Sequence, residues 1–235
     1  MASRRDVAAP YEDITTAAAG GTTLRAMSAV DFFVPEARKR VGDAVEAVER
    51  ETAAEVVVTV RKRSGHYRET DLYAGSALAL AALVFLLFDP HPFEIEWMPV
   101  NVIVAFVVGA GASLEIASLR RLLTSRRLLR ESVLTAARAA FYELGVAKTT
   151  RRGGVLVFVS MFEQRVEVVP DIAVKAETLG TEWNASVAAL QASIEGSPDF
   201  ERFLTALGSL KTPLARALPH HDGDANELAN EPVMA

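Results

Sequence analysis

Two long apolar stretches dominate the pattern of hydrophobic and polar positions along this chain. Residues 72–88 (LYAGSALALAALVFLLF) carry no charged side chain, and residues 97–119 (WMPVNVIVAFVVGAGASLEIASL) carry one, Glu115, near their end. Each is about long enough, as a helix, to cross a hydrocarbon core of roughly 30 Å. Lipid offers no water to backbone groups, so each crossing is expected to be helical. The polar stretch 89–96 (DPHPFEIE) between them is short, which predicts an antiparallel helical hairpin. Outside the hairpin the period changes. Val41, Val45 and Val48 recur at helical spacing behind Pro35, with Asp31 just upstream, and predict a helix through Ala53 with one buried face. The β-branched run 55–61 (EVVVTVR) predicts a strand. After the hairpin, Leu129, Val133, Ala137, Phe141 and Leu144 mark one face of a helix over 126–144, which Gly145 is placed to stop. The continuous apolar run 155–160 (VLVFVS) has the pattern of a strand covered on both faces. Glu163 and Gln164 predict a tight turn into a partner strand, 165–169, and two further helices are expected over 181–194 and 198–218.

The strand before the hairpin and those after it must share one sheet, because neither piece can bury its apolar face alone. The expected fold is therefore an α/β layer domain in two parts, 31–68 and 120–218, split by an inserted transmembrane helical hairpin, 72–119. Residues 1–30, rich in Ala, Thr and Gly, predict a flexible tail, and the acidic 219–235 a disordered one.

Charge then orients the hairpin. Arg61, Lys62, Arg63, His66 and Arg68 precede the first crossing, and Arg120, Arg121, Arg126, Arg127 and Arg130 follow the second. The turn between them contributes Asp89, Glu94 and Glu96. Basic residues near the ends of a crossing stay in the cytoplasm, so a multi-pass protein of the inner membrane with both termini cytoplasmic is expected. Tyr73 and Trp97 suit interface anchors, and Glu115 is close enough to Arg120 and Arg121 to reach them or the interface. Gly75 and Ala79, and Gly109 and Ser113, have the small-xxx-small spacing that lets helices approach closely in lipid. That face serves hairpin closure or a homo-oligomer equally well. A formal net charge of −5 argues against a general nucleic-acid binder, and the absence of cysteine excludes disulfides, thiolate zinc sites and a cysteine nucleophile. His220, His221, Asp222 and Asp224 are metal-binding residue types in the expected tail, where no geometry holds them. No Ser/His/Asp arrangement marks a catalytic centre.

The order of amphipathic helix, EVVVTV strand, helix ending FYELGV and then RRGGVLVFVSMFEQRVEVVPD resembles the TPM domain family, which includes a thylakoid acid phosphatase. It is most similar to that family's bacterial membrane branch. The strand 154–160, the acidic turn at Glu163 and the strand 165–169 carry the resemblance. Trp183, Phe200, Phe203, Leu207, Leu210 and Leu214 are similar to its C-terminal helices. The resemblance covers about 31–219. It implies an α/β/α sandwich and, for some members, phosphatase activity dependent on a divalent cation such as Ca or Mg. Asp31 and Asp171 match the family's aspartates before the first helix and after the second strand, and are the implied metal ligands. The glycine that usually follows that strand is replaced by Val169-Pro170-Asp171-Ile172, so binding is favoured over hydrolysis. The expected function is an interaction or assembly module, anchored in the bilayer, that docks on other membrane-protein subunits. The alternatives are a metal-dependent phosphatase at the membrane surface and a structural membrane oligomer.

Overall fold

The computed structural model describes residues 32–89, 94–220 and 227–234. Helix α1 (Pro35–Glu49) opens on Pro35, whose missing N–H lies where a helix start leaves donors unpaired anyway, and turns Ala37, Val41, Val45 and Val48 inward. Strand β1 (Glu55–Arg61) leads through the linker 62–67 into α2 (Arg68–Phe88). Then come α3 (Met98–Glu115), α4 (Ala117–Leu123), α5 (Arg126–Glu143), β2 (Gly154–Ser160) and β3 (Arg165–Pro170). The chain closes with α6 (Gly180–Ile194), α7 (Phe200–Ser209), α8 (Lys211–Ala217) and β4 (Val233–Met234).

The four strands form one mixed sheet in the order β3-β2-β1-β4. β1 and β2 lie on opposite sides of the hairpin in sequence yet pair in parallel, with Val58 opposite Val157. β2 and β3 are antiparallel. Val56, Val58 and Val60 of β1 and Val155, Val157 and Val159 of β2 belong to a core shared with α1, α6, α7 and α8. The alternate residues Val57, Leu156 and Phe158 pack with Val133, Ala137, Ala140 and Phe141 of α5. Helices thus cover both faces, which is why β2 is apolar throughout. Gly145 takes the left-handed conformation that ends α5, at φ 73°.

α2 and the segment Ile95–Glu115 are long and apolar enough to cross a membrane, and only 22% and 11% of their apolar windows are buried inside the protein. Core helices of a water-soluble domain would be mostly covered. Here Leu80, Phe85, Ile103 and Val107 are each more than half exposed. The small residues lie between the two helices. A Cβ on Gly75 would come within 2.8 Å of the Phe106 carbonyl oxygen, and one on Gly109 within 2.8 Å of that of Ala74. Close backbone approach inside the chain is therefore what these glycines permit.

The first helix ends at Glu49 rather than at Ala53, and three further elements differ from expectation. The segment 97–119 is not one helix: Ile116 adopts an extended conformation (φ −98°, ψ 91°) that separates α3 from α4. The helix expected over 198–218 is broken into α7 and α8, because Pro213 cannot donate to the carbonyl of Ser209 and its ring crowds that group. That carbonyl instead accepts a hydrogen bond from the Ser186 hydroxyl at 3.1 Å. Part of the tail expected to be disordered is ordered, since Val233 and Met234 pair in parallel with Thr59 and Val60 along the open edge of β1. His221, Asp222 and Asp224 lie outside the described residues.

Val58 is 1% exposed at the centre of the shared sheet. Val58→Asp buries an unpaired charge there and is expected to destabilise the domain by about 3–5 kcal/mol. Limited proteolysis checks this: residues 155–169, on the far side of the hairpin in sequence, should lose protection together with β1.

Candidate functional site

About half of the buried polar residues among those described, Glu163, Asp71 and Arg120 with them, gather where the domain meets the hairpin. Glu163, 4% exposed, lies in the turn between β2 and β3. One carboxylate oxygen accepts from the Ser64 amide at 3.0 Å, the Gly65 amide at 3.1 Å and the Tyr67 hydroxyl at 2.6 Å. The other accepts from the Ser160 hydroxyl, which also contacts the Ser64 hydroxyl at 2.6 Å. Tyr67 stacks on Phe162, ring centroids 5.3 Å apart. Burial pushes the Tyr67 hydroxyl up from its ordinary value, and its bond to Glu163 pushes the same way, so it stays a donor. The residues of this cluster come from the linker into α2, the end of β2 and the turn that follows it. The carboxylate therefore ties the start of the apolar hairpin to the sheet.

A second cluster lies one turn into α2. Asp71 and Arg120, 8% and 7% exposed, pair at 2.6 Å, and the Ser113 hydroxyl donates to the other Asp71 oxygen at 2.9 Å. The Thr124 hydroxyl donates to the Arg120 carbonyl at 2.7 Å and meets the Thr70 hydroxyl at 3.0 Å. A straight α3 would carry Arg120 about 10 Å past Ser113 along the helix axis. The break at Ile116 lets both reach one carboxylate. Glu115, expected near these arginines, is exposed, and Arg120 turns to Asp71 instead.

Of the two expected metal ligands, only Asp171 is among the described residues. Asp31 lies outside the described residues. Asp171 is buried, but its carboxylate pairs with the Arg152 guanidinium (Nε at 2.9 Å, Nη2 at 3.0 Å) and accepts from the Ile172 amide at 2.8 Å. It caps the turn after β3. Among the described residues no group of three or more His, Asp or Glu side chains is placed to hold a metal ion.

At the other end of the sheet, near the starts of β1 and β2, a cleft of about 410 Å³ is lined by Glu46, Glu49, Glu55, Glu227, Thr149 and His220, among others. Burial raises the Glu49 carboxyl to about 7, against the opposing effect of the Val56 amide, which donates to it at 2.8 Å. Glu55 nearby adds to the rise.

Sequence reasoning assigned Glu163 to a turn and Arg120 to topology, and started the first crossing one residue after Asp71. The signals were faint: an acid in the turn that follows an uncharged apolar strand, and an acid immediately before an uncharged run.

The NMR structure of the BA42 protein from the psychrophilic bacterium Bizionia argentinensis is similar in fold, with a TM-score of 0.53 at 16% sequence identity. The match covers 87% of this chain and 96% of that one. No protein-family model matches the sequence, and no curated protein matches it. The likeness is therefore one of fold.

Two outcomes follow from these sites. Glu163→Gln removes the charge that four donors share and is expected to lower stability by about 2 kcal/mol. Hydrogen exchange at the Ser64 and Gly65 amides should accelerate, and unchanged protection there would show that the linker is held by something else. Glu49 has a folded value above the ordinary carboxylate range, so folding favours its protonated form. Its stabilising contribution is present at low pH and is lost as pH rises through about 7. Glu49→Gln should therefore lose less stability than wild type between about pH 5 and about pH 8, read from thermal melts in the same detergent.

Proposed function

We propose that the protein is a membrane-anchored interaction module, with a TPM-like α/β domain held at the cytoplasmic face of the inner membrane by its own helical hairpin. The observation that carries this is the double fastening of hairpin to domain. Glu163 grips the linker that enters α2, and Asp71 with Arg120 closes the base of the hairpin. Such fastening fixes a folded domain at one height and orientation above the bilayer, which suits docking on neighbouring membrane-protein subunits. The basic residues on both flanks support cytoplasmic termini. The engagement of Asp171 by Arg152 supports binding over metal-dependent hydrolysis, because that carboxylate is already neutralised.

Reporter fusions at Met1 and Ala235 are expected to behave as cytoplasmic, and a periplasmic signal from either would overturn the topology. The full chain pulled from native membranes should recover membrane-protein subunits that a Val58→Asp chain, inserted but with a disrupted domain, does not. Phosphatase turnover with Mg²⁺, Mn²⁺ or Ca²⁺ that the Asp31→Asn, Asp171→Asn double variant abolishes would replace the binding module with an enzyme.

A further inference from the structure

Some arginines outside the hairpin are paired with acids: Arg40 with Glu201, Arg50 with Glu46, Arg61 with Glu143, Arg127 with Glu131, Arg152 with Asp171 and Arg216 with Glu182; of those that are not, several stand singly on the surface. Three others, Arg121, Arg126 and Arg165, line one cleft of about 420 Å³ between α4, the start of α5 and the β2–β3 turn. None of the three makes an ion pair or side-chain hydrogen bond among the described residues. Two acids share the cleft. Glu163 already has both oxygens engaged by donors from the domain, and Glu195 is exposed. Ser118 adds a hydroxyl to the lining.

The position of this cleft suggests its occupant. Ser118 stands three residues beyond the end of α3, so the lining of the cleft begins within about 11 Å of the apolar helix end. The flanking side chains are apolar and uncovered: Leu122 is 81% exposed, Ile116 48% and Leu123 47%. Guanidinium groups grip phosphate oxygens through paired N–H donors, while the neighbouring leucines and isoleucine offer a surface to an acyl chain. A free phosphate would use the arginines and leave these apolar side chains bare. We propose that this cleft binds the phosphate headgroup of an anionic phospholipid, with the acyl chains lying against Leu122, Leu123 and Ile116. The proposal rests on the membrane-anchored reading above and deepens it: one bound lipid beside α4 would seat the domain on anionic leaflets.

The test uses the full chain in dodecyl maltoside, titrated with dioleoylphosphatidylglycerol or dioleoylphosphatidylcholine, with bound lipid counted by native mass spectrometry. Wild type should bind the glycerol lipid at least about tenfold more tightly than the choline lipid. Arg121→Gln with Arg165→Gln should abolish that preference. Arg127→Gln with Arg130→Gln removes equal charge from α5 outside the cleft lining, and should keep it. If the Gln pair fails to fold, Arg121→Lys with Arg165→Lys keeps the charge but not the paired donors, and should weaken the preference several-fold. Inorganic phosphate in the millimolar range should not displace the lipid. Equal loss in the two Gln pairs, no preference in wild type, or displacement by phosphate would each overturn the proposal. Carbonate extraction separates the two levels. A carbonate-resistant chain without lipid preference sinks the cleft alone, whereas a released chain sinks the membrane anchoring too.

Discussion

The Glu163 carboxylate takes hydrogen bonds from two backbone amides, a phenol and a serine hydroxyl, and the rest of the architecture depends on that convergence. The chain must leave β1, build a helical hairpin and come back to lay β2 beside β1 in parallel. Nothing in the sheet itself sets where α2 begins. A buried anion with four donors does, because each donor would otherwise lose a partner without water to replace it. The geometry of the linker 62–67 is thereby subordinated to the end of β2.

The Asp71–Arg120 pair works at the next level. Apolar helices in contact through small residues have several registers of comparable packing. A buried ion pair adds little net stability over an apolar alternative, but leaving either partner alone is costly. Here the Asp71 carboxylate is satisfied from α3 by Ser113 and from α4 by Arg120. The registers that separate them are therefore penalised, and the kink at Ile116 is part of the same arrangement.

Much of this was legible from local pattern. The β-branched run of β1, the two-sided apolar strand β2, the helical stripe Leu129–Val133–Ala137–Phe141 and the stop at Gly145 each depend on neighbours close in sequence. Trp183, Phe200, Phe203, Leu207, Leu210 and Leu214, singled out by the resemblance, all lie in the core. What escaped depends on distant partners. Glu163 and the linker it holds are about a hundred positions apart, as are β1 and the residues it pairs with in β2, but strands advertise themselves by composition whereas a single acid in a turn does not. Asp71 looked like a flank of the crossing until Arg120 stood opposite. β4 was hidden because its two pairing residues end a polar tail, and the attraction lies in the unpaired edge of β1.

The inserted hairpin also bears on how the domain assembles. β1 ends at Arg61 and β2 starts at Gly154, a long loop to close for one strand pair. α2 and α3 are neighbours in sequence and can associate early, and helical contacts of this local kind form faster than pairings between remote strands. Once they meet, Asp71 and Arg120 bring the two ends of the insertion together, and the effective loop shrinks to the linker and the α5 segment. Loop-closure entropy grows only slowly with length, but it must be met before β1 and β2 gain anything from touching. The hairpin thus acts as an internal staple that shortens the search for the central strand pair.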